Sequence, residues 1–383
     1  MEIKLLKNDF LTLKDEKRKI NLEDFDFDEK KAEMNQKVHF AVSQIMENDD
    51  LNSVQEYFLF LSSFLSKEDF IFPPEFIIKI VSFINHNQDP NLLQLVFDLI
   101  RMLTSFNSIM QSFLIENSIF DILIPFFPNP EIIDIFSNLS CSQFIARKYL
   151  YDSNIITMIL QHLKDQTFQD SLIHLSQNLV YNMDDFDYTE YTSQVIQLYH
   201  AIIELFDPND QISESIIFAF RDYIEAHQLF MDDFLTNNYL LLFKDRTIGK
   251  DLYFRHFVRI CDTIITMKHQ LGADYLVAND IPTFLISLFF QVDQEIRSCC
   301  FHFFCLILEL KTEISILLFE SDFFTISISE FLNQPKISYK RVIFRFWCEF
   351  ILCVPSELLT ELSSKIVYLI DNVSFIDSND HEI

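Results

Sequence analysis

The sequence predicts an all-α chain laid out as an array of helical repeats. Three observations carry that expectation. From Leu51 onward apolar residues recur at i, i+3, i+4 and i+7, as in "LIRMLTSF", "VIQLYHAIIELF" and "IRSCCFHFFCLILEL", and period-2 alternation is rare. Only two glycines occur, Gly249 and Gly272, too few for the positive-φ turns that a hairpin-rich β fold demands. One helix–break–helix pattern also returns along most of the chain. At 383 residues, 49% hydrophobic and with 43 Phe, the chain is long for a single core and rich in apolar surface to bury.

Taken in order, residues 1–45 differ from the rest. "LKDEKRKINLEDFDFDEKKAEM" is dense in charges of both signs and reads as a mobile or partly helical arm. Residues 46–370 form the helical body and 371–383 an acidic tail. The breaks in the body are "IENSIFDILIPFF" (115–127), "LYDSNIITMILQHL" (150–163), "LTNNYLLLF" (235–243), "VANDIPTFLISLFF" (277–290) and "FESDFFTISISEFL" (319–332). The residue that ends such a helix must leave the right-handed region. Gly or Asn tolerates the left-handed conformation best, and this chain uses Asn and Asp where Gly is usual. Pro282 suits the first turn of the next helix, where its missing N–H costs nothing.

Within "IFSNLSCSQFIARKYLYDSNIITMILQHL" the pattern parses as a long helix ending at "SNLS", a short helix "QFIARKYLY", the break "DSN" and a second short helix "IITMILQHL". Aligning the long helices makes Met102, Asn138, Asn178, Asp222, Thr263, Leu306 and Glu349 equivalent, at intervals of 36, 40, 44, 41, 43 and 43 residues. Units of this size cannot bury their faces alone and must stack on their neighbours.

Composition narrows the function. Asp plus Glu number 57 against 29 Lys plus Arg, a formal net charge of −28. That is the wrong sign for binding phosphates. It suits a basic partner, or simply keeps a Phe-rich protein in solution. The scarcity of glycine excludes a P-loop and a dinucleotide fingerprint, whose backbones must approach phosphate closely. The seven cysteines, Cys141, Cys261, Cys299, Cys300, Cys305, Cys348 and Cys353, are odd in number and lie mostly in apolar runs. They read as reduced, buried small hydrophobes of an intracellular protein. "MEIKLLKNDF" shows no secretory signal, and runs such as "IPTFLISLFF" are far short of a membrane span.

Three stretches invite chemistry. "CCFHFFC" (299–305) places Cys299, His302 and Cys305 on one helix face, but a closed tetrahedral metal site needs four ligands, and the run is apolar, so core packing is expected. "MDDFDYTEYT" (183–192) lacks calcium-loop spacing and reads as a solvated connection that lengthens one repeat. No Ser/His/Asp or Cys/His set is marked by a local signature. The expectation is a non-enzymatic chain without metal, cofactor, nucleic acid or membrane partner.

The stretch 135–163 resembles an armadillo repeat, with that family's "ALSNLS…R…GxIPxLLxLL" pattern. "LNSVQEYFLFLSSFLSKEDFIFPPEFIIKIVSFINHNQDPNLLQLVFDLIRMLTS" resembles the opening repeats of importin alpha, including Val54-Gln55-Glu56, Pro73-Pro74 and Asp89-Pro90-Asn91-Leu92. In "FVRICDTIIT", Arg259 falls where importin alpha has an unusual Arg in place of Trp. The resemblance covers about residues 50–370. It implies a right-handed superhelical solenoid of roughly seven to eight armadillo repeats.

It also implies a site. In that family third helices line a concave groove, where a Trp, and an Asn four residues later, recur. The Trp rings pack along lysine stems of a basic localisation peptide and the Asn side chains bond its backbone. Carried over, the pairs are Asp98/Met102, Asp134/Asn138, His174/Asn178, Phe218/Asp222, Arg259/Thr263, His302/Leu306 and Arg345/Glu349. Only Asn138 and Asn178 match the Asn ladder, and no Trp of the ladder survives, because Trp347 falls on a core position. The candidate groove residues are therefore Asp98, Asp134, Asn138, His174, Asn178, Asp222, Arg259 and Glu349. The family also implies nuclear protein import, a basic cargo peptide, a cytoplasmic and nuclear location, and importin beta as a partner of "LKDEKRKI" (13–20). The alternative is an armadillo scaffold that has lost localisation-signal recognition and binds another extended protein segment.

Overall fold

The computed structural model describes residues 34–65, 72–86, 89–106, 108–180, 190–207, 212–244, 251–333 and 336–373. The segment 13–20, most of the acidic connection 183–192 and the tail from 374 onward lie outside the described residues. Every regular element among the described residues is helical, as the periodicity requires.

The chain divides into two units, residues 1–158 and 159–383. Unit 1 holds α1 (34–47), α2 (Leu51–Leu65), α3 (Pro74–His86), α4 (Pro90–Phe106), α5 (Ser108–Glu116), α6 (Ile119–Leu123), α7 (Pro130–Ser142) and α8 (Phe144–Asp152). The division falls within α9 (Ile155–His162). Unit 2 continues with α10 (Gln169–Val180), α11 (Thr192–Ile203), α12 (Ile212–Ala226), α13 (Gln228–Thr236), α14 (Tyr239–Lys244), α15 (Asp251–Ala278) and α16 (Ile281–Leu288). It closes with α17 (Gln294–Leu310), α18 (Ile314–Glu320), α19 (Phe323–Asn333), α20 (Ile337–Cys353) and α21 (Ser356–Val373).

Within each unit the long helices pack one repeat apart. In unit 1, α4 lies against α2, and α7 against α4. In unit 2, α12 lies against α10, α15 against α12, α17 against α15, and α20 against α17. This nearest-neighbour pattern is that of an all-α solenoid. No single described helix is long and apolar enough to cross a membrane.

Local chemistry explains where helices start and stop. Asn129 accepts from the Glu131 and Ile132 amides at 3.0 and 3.3 Å ahead of Pro130, and Asp293 accepts from the Ile296 amide at 2.9 Å. These caps satisfy amides that a helix start otherwise orphans. Every expected break holds a left-handed residue, namely Ser118, Asn154, Asn238, Asp280 and Asp322, with φ from 54° to 66°. Helix α7 runs two residues past "SNLS", to Ser142. Near its end, buried Arg147 of α8 donates to the Ser140 carbonyl at 2.8 Å, and in α5 Gln111 does the same for Thr104 at 2.5 Å.

Most of the described phenylalanines are core, although Phe40, Phe144, Phe290 and Phe344 are exposed. In unit 2, Tyr199, Phe220, Tyr223 and Phe230 form one cluster, and Phe289, Phe301, Phe323 and Phe346 another, with neighbouring rings tilted or edge-on. Such rings each bury about 150–250 Å². Trp347 is buried, as its register implies, and donates to Ser327 Oγ at 2.6 Å.

One bend falls at a residue that is neither Gly nor Pro. Helix α15 turns at His269 (φ 46°, ψ −121°). Gly272 then lies so close to the preceding helical segment that an added Cβ would sit 2.4 Å from the Ile264 carbonyl oxygen. Only glycine fits this approach.

Candidate functional site

On unit 1, Asp98 and Met102 of α4 and Asp134 and Asn138 of α7 are half-buried. Their spacing of four places each pair on one helix face. The Asn138 amide spans the two helices: Nδ2 donates to Ser105 Oγ at 3.1 Å, Thr104 Oγ1 at 3.2 Å and the Arg101 carbonyl at 3.4 Å. The family pattern assigns this amide to a bound backbone; here it ties α7 to α4. Asp98 lies 3.7 Å from Arg101. Burial, and then Glu131 nearby, raises its carboxyl above the ordinary range.

On unit 2 the corresponding positions are His174 and Asn178 (α10), Phe218 and Asp222 (α12), Arg259 and Thr263 (α15), His302 and Leu306 (α17), and Arg345 and Glu349 (α20). His174, His302 and Arg345 are exposed, Thr263 is buried and the others are half-buried. Cross-helix bonds join successive members. Thr263 Oγ1 donates to Glu225 at 2.9 Å, His302 Nδ1 pairs with Asp262 at 3.1 Å, Arg345 with Glu309 at 3.1 Å, and Arg255 with Glu295 at 3.3 Å.

The partners in these bonds, Glu225, Asp262, Glu295 and Glu309, are absent from the family-derived set, although Glu225, Asp262 and Glu309 each lie within a turn of a ladder position. Arg221 changes the meaning of Asp222. It donates to that carboxylate through Nη2 at 2.6 Å and Nε at 3.0 Å, reaches Glu225 at 3.9 Å and stacks over the Phe218 ring at 4.4 Å. Asp222 is thus matched from within its own helix, while burial raises its carboxyl against the pull of Arg221.

Asp262 is also raised by burial, with His302 opposing, and its Oδ1 is buried with no hydrogen-bond partner. The same bond holds the His302 imidazole above its ordinary value. Buried His256 is pushed down to about 4, first by burial and then by Arg221, Arg259 and Arg255. That ordering records a concentration of positive charge along α12 and α15.

A cavity of about 530 Å³ opens between α12 and α15, lined by Arg221, Glu225, Arg259, Asp262, Thr263, Thr266 and Met267. Arg259 is half-buried there, beside the Cys299 thiol, which burial raises. Cys300 and Cys305 are buried while His302 is exposed, so the "CCFHFFC" run is mostly core. Among the described residues no group of three or more His, Cys, Asp or Glu is placed to hold a metal ion.

No family model matches the chain, and no curated protein matches it. Solved structures do. An engineered protein known from its crystal structure superposes with a TM-score of 0.66 at 11% identity, covering 89% of this chain and 85% of that one. A designed armadillo repeat protein in complex with the peptide (KR)4 gives a TM-score of 0.47 at 12% identity, covering 58% of this chain and 97% of that one. A computationally designed armadillo repeat protein for modular peptide recognition gives 0.46 at 11% identity, covering 58% and 98%. The engineered protein's likeness is one of fold alone, and it agrees with an all-α solenoid.

Proposed function

We propose that the chain is a non-enzymatic, armadillo-type protein-binding scaffold whose third helices take an extended segment of a partner. One observation carries this. In each unit a row of polar side chains, most of them half-buried or exposed, recurs one set per long helix and is linked from helix to helix. A repeated row on a rigid array suits a repeated ligand, and a polypeptide in extended form is one. Selection of a displayed library of unstructured segments on the full chain tests it. A family of related sequences that compete with one another is expected. A chain that enriches no sequence above background under any salt condition is not such a scaffold.

A second proposal is narrower: an importin-alpha-like adaptor that carries basic cargo between cytoplasm and nucleus and engages importin beta through residues 13–20. Its support is the acidic character of unit 1, where Asp98, Glu131 and Asp134 lie on α4 and α7. Against it stand the missing Trp ladder and the engagement of Asn138 with α4. Anisotropy titration of a lysine-rich peptide against an alanine-substituted control separates the two. Discrimination between the peptides that is lost in Asn138→Ala with Asn178→Ala supports the adaptor; equal binding of both peptides removes it.

A further inference from the structure

We propose that α20 is the contact helix of a homodimer, its outer flank packing antiparallel on the same flank of a second copy. Such a dimer neither requires nor excludes a peptide on the ladder face.

A repeated pair of residues identifies the flank. Phe301 and Cys305 of α17 recur 43 residues later as Phe344 and Cys348 of α20. On α17 both are fully buried, because α20 lies over them. The Phe301 ring meets Phe346 at 5.4 Å and Tyr339 at 6.1 Å, and Cys305 lies near Arg345 and Glu349. On α20 the same two side chains are exposed, Phe344 by 45%. Helix α21, which comes next, packs against α19. The flank of α20 thus continues an interface already formed one repeat earlier, and a helix is what fits it.

The flank is an apolar row. Ile337, Phe344, Cys348 and Leu352 fall at i, i+7, i+11 and i+15 on one helix face, and all four are exposed. Among the residues whose side chains are described, α4, α7, α10, α12 and α17 expose no large apolar side chain, and α15 exposes only Leu271. The outer faces of a repeat array are ordinarily polar where they meet water, so an apolar row left there marks an association site.

The row is its own complement. About a two-fold axis between Phe344 and Arg345, Ile337 of each copy faces Leu352 of the partner subunit, and the two Phe344 rings meet near the axis. Arg341 comes beside Glu349 of the partner subunit, so opposite charges flank the row. Arg345, also near the axis, is matched within its own chain by Glu309 at 3.1 Å. A contact that uses the same patch on both copies closes at two, whereas a head-to-tail contact continues into a fibre.

The test is sedimentation equilibrium of the full chain, joined to crosslinking. The mass is expected to rise with concentration towards twice 45.6 kDa and no further. Phe344→Lys with Leu352→Lys should weaken the dimer about a hundredfold or more and leave the melt of dilute protein unchanged, both side chains being exposed. Ile316→Lys, the same change at an exposed apolar residue of α18, should leave the dimer intact. The two Cys348 thiols would stand about 10 Å apart along the helix axes, within reach of a short bismaleimide. The linked dimer should be lost in Cys348→Ser and kept in Cys141→Ser, which removes the other exposed thiol. A single-chain mass at every concentration overturns the proposal, whether another segment of the chain or a different protein covers the row. So does a dimer that survives the double substitution, or one that links through Cys141. If the double variant fails to fold, the dependence of the crosslink on Cys348 decides alone.

Discussion

In unit 1, α7 is tied to α4 by a neutral amide, Asn138, which donates to Thr104 and Ser105. In unit 2, α17 is tied to α15 by His302 and Asp262, and α20 to α17 by Arg345 and Glu309. The helix ends differ as well. Nine residues past the ladder residue, unit 1 has Gln111 and Arg147, each taking up a carbonyl of the preceding long helix. At the same repeat position unit 2 has Met231 and Gly272, both without a side-chain donor, and Ser315, which donates instead to the Thr312 carbonyl at 2.6 Å and to the Cys353 carbonyl of α20 at 3.0 Å. The helical array fixes which positions face one another. It leaves open whether they meet through amides, charges or bare packing. Neutral ties are insensitive to pH and salt, whereas charged ties on an exposed face respond to both.

Substitutions at the shared repeat position should show the largest effects. Arg147→Ala removes a buried stem and orphans the Ser140 carbonyl, so a loss of about 3 kcal/mol is expected in urea unfolding. Arg147→Met should lose less, because Met231 shows that the array accepts that side chain at this position. Equal losses from both would mean that the hydrogen bond, not the volume, holds the helix end. Gly272→Ala drives a methyl into the Ile264 carbonyl and should cost about 2 kcal/mol by over-packing. An unchanged melting temperature would show that the turn at His269 relaxes freely.

The ties themselves are weaker. Asn138→Ala should cost about 1 kcal/mol, equally at pH 6 and pH 8, since neither donor nor acceptor titrates there. His302 behaves otherwise. Its folded value is raised from 6.5, chiefly by the bond to Asp262, so the folded state holds the proton more tightly than the unfolded one. The stability this adds is fully present below about pH 6.5 and is lost as pH rises through the raised value. The difference in melting temperature between the wild type and His302→Gln should therefore shrink from pH 6 to pH 8.5 and shrink again in high salt. A difference that grows with pH would reverse the assignment.

Much of the array is legible in the sequence because it rests on local rules. The register running from Met102 to Glu349 follows from the 3.6-residue period, and within each unit the structure keeps those positions in neighbouring long helices. Asn154, Asn238 and Asp280 stop helices where side chains tolerant of positive φ stand, and Ser118 and Asp322 obey the same backbone need. Trp347 reads as core because its neighbours in register are apolar. The candidate site is less legible. Asn138 stands at a ladder position, but nothing local says that its amide turns to α4. Asp222 reads as a free acid until Arg221 is seen folded over Phe218 onto it.

What the sequence determined by itself is the helical state, the repeat length, the break points and the set of positions on each long helix that face away from the core. These depend on dihedral preferences and on periodicity, which act within a few residues. The tertiary structure alone decided which of those positions are already engaged. The turn at His269, the contact of Gly272 with Ile264, the His302–Asp262 tie and the cavity at Arg259 depend on how closely one helix approaches another. A distance between residues some 40 apart in sequence is fixed by packing, and the pattern within either helix does not contain it.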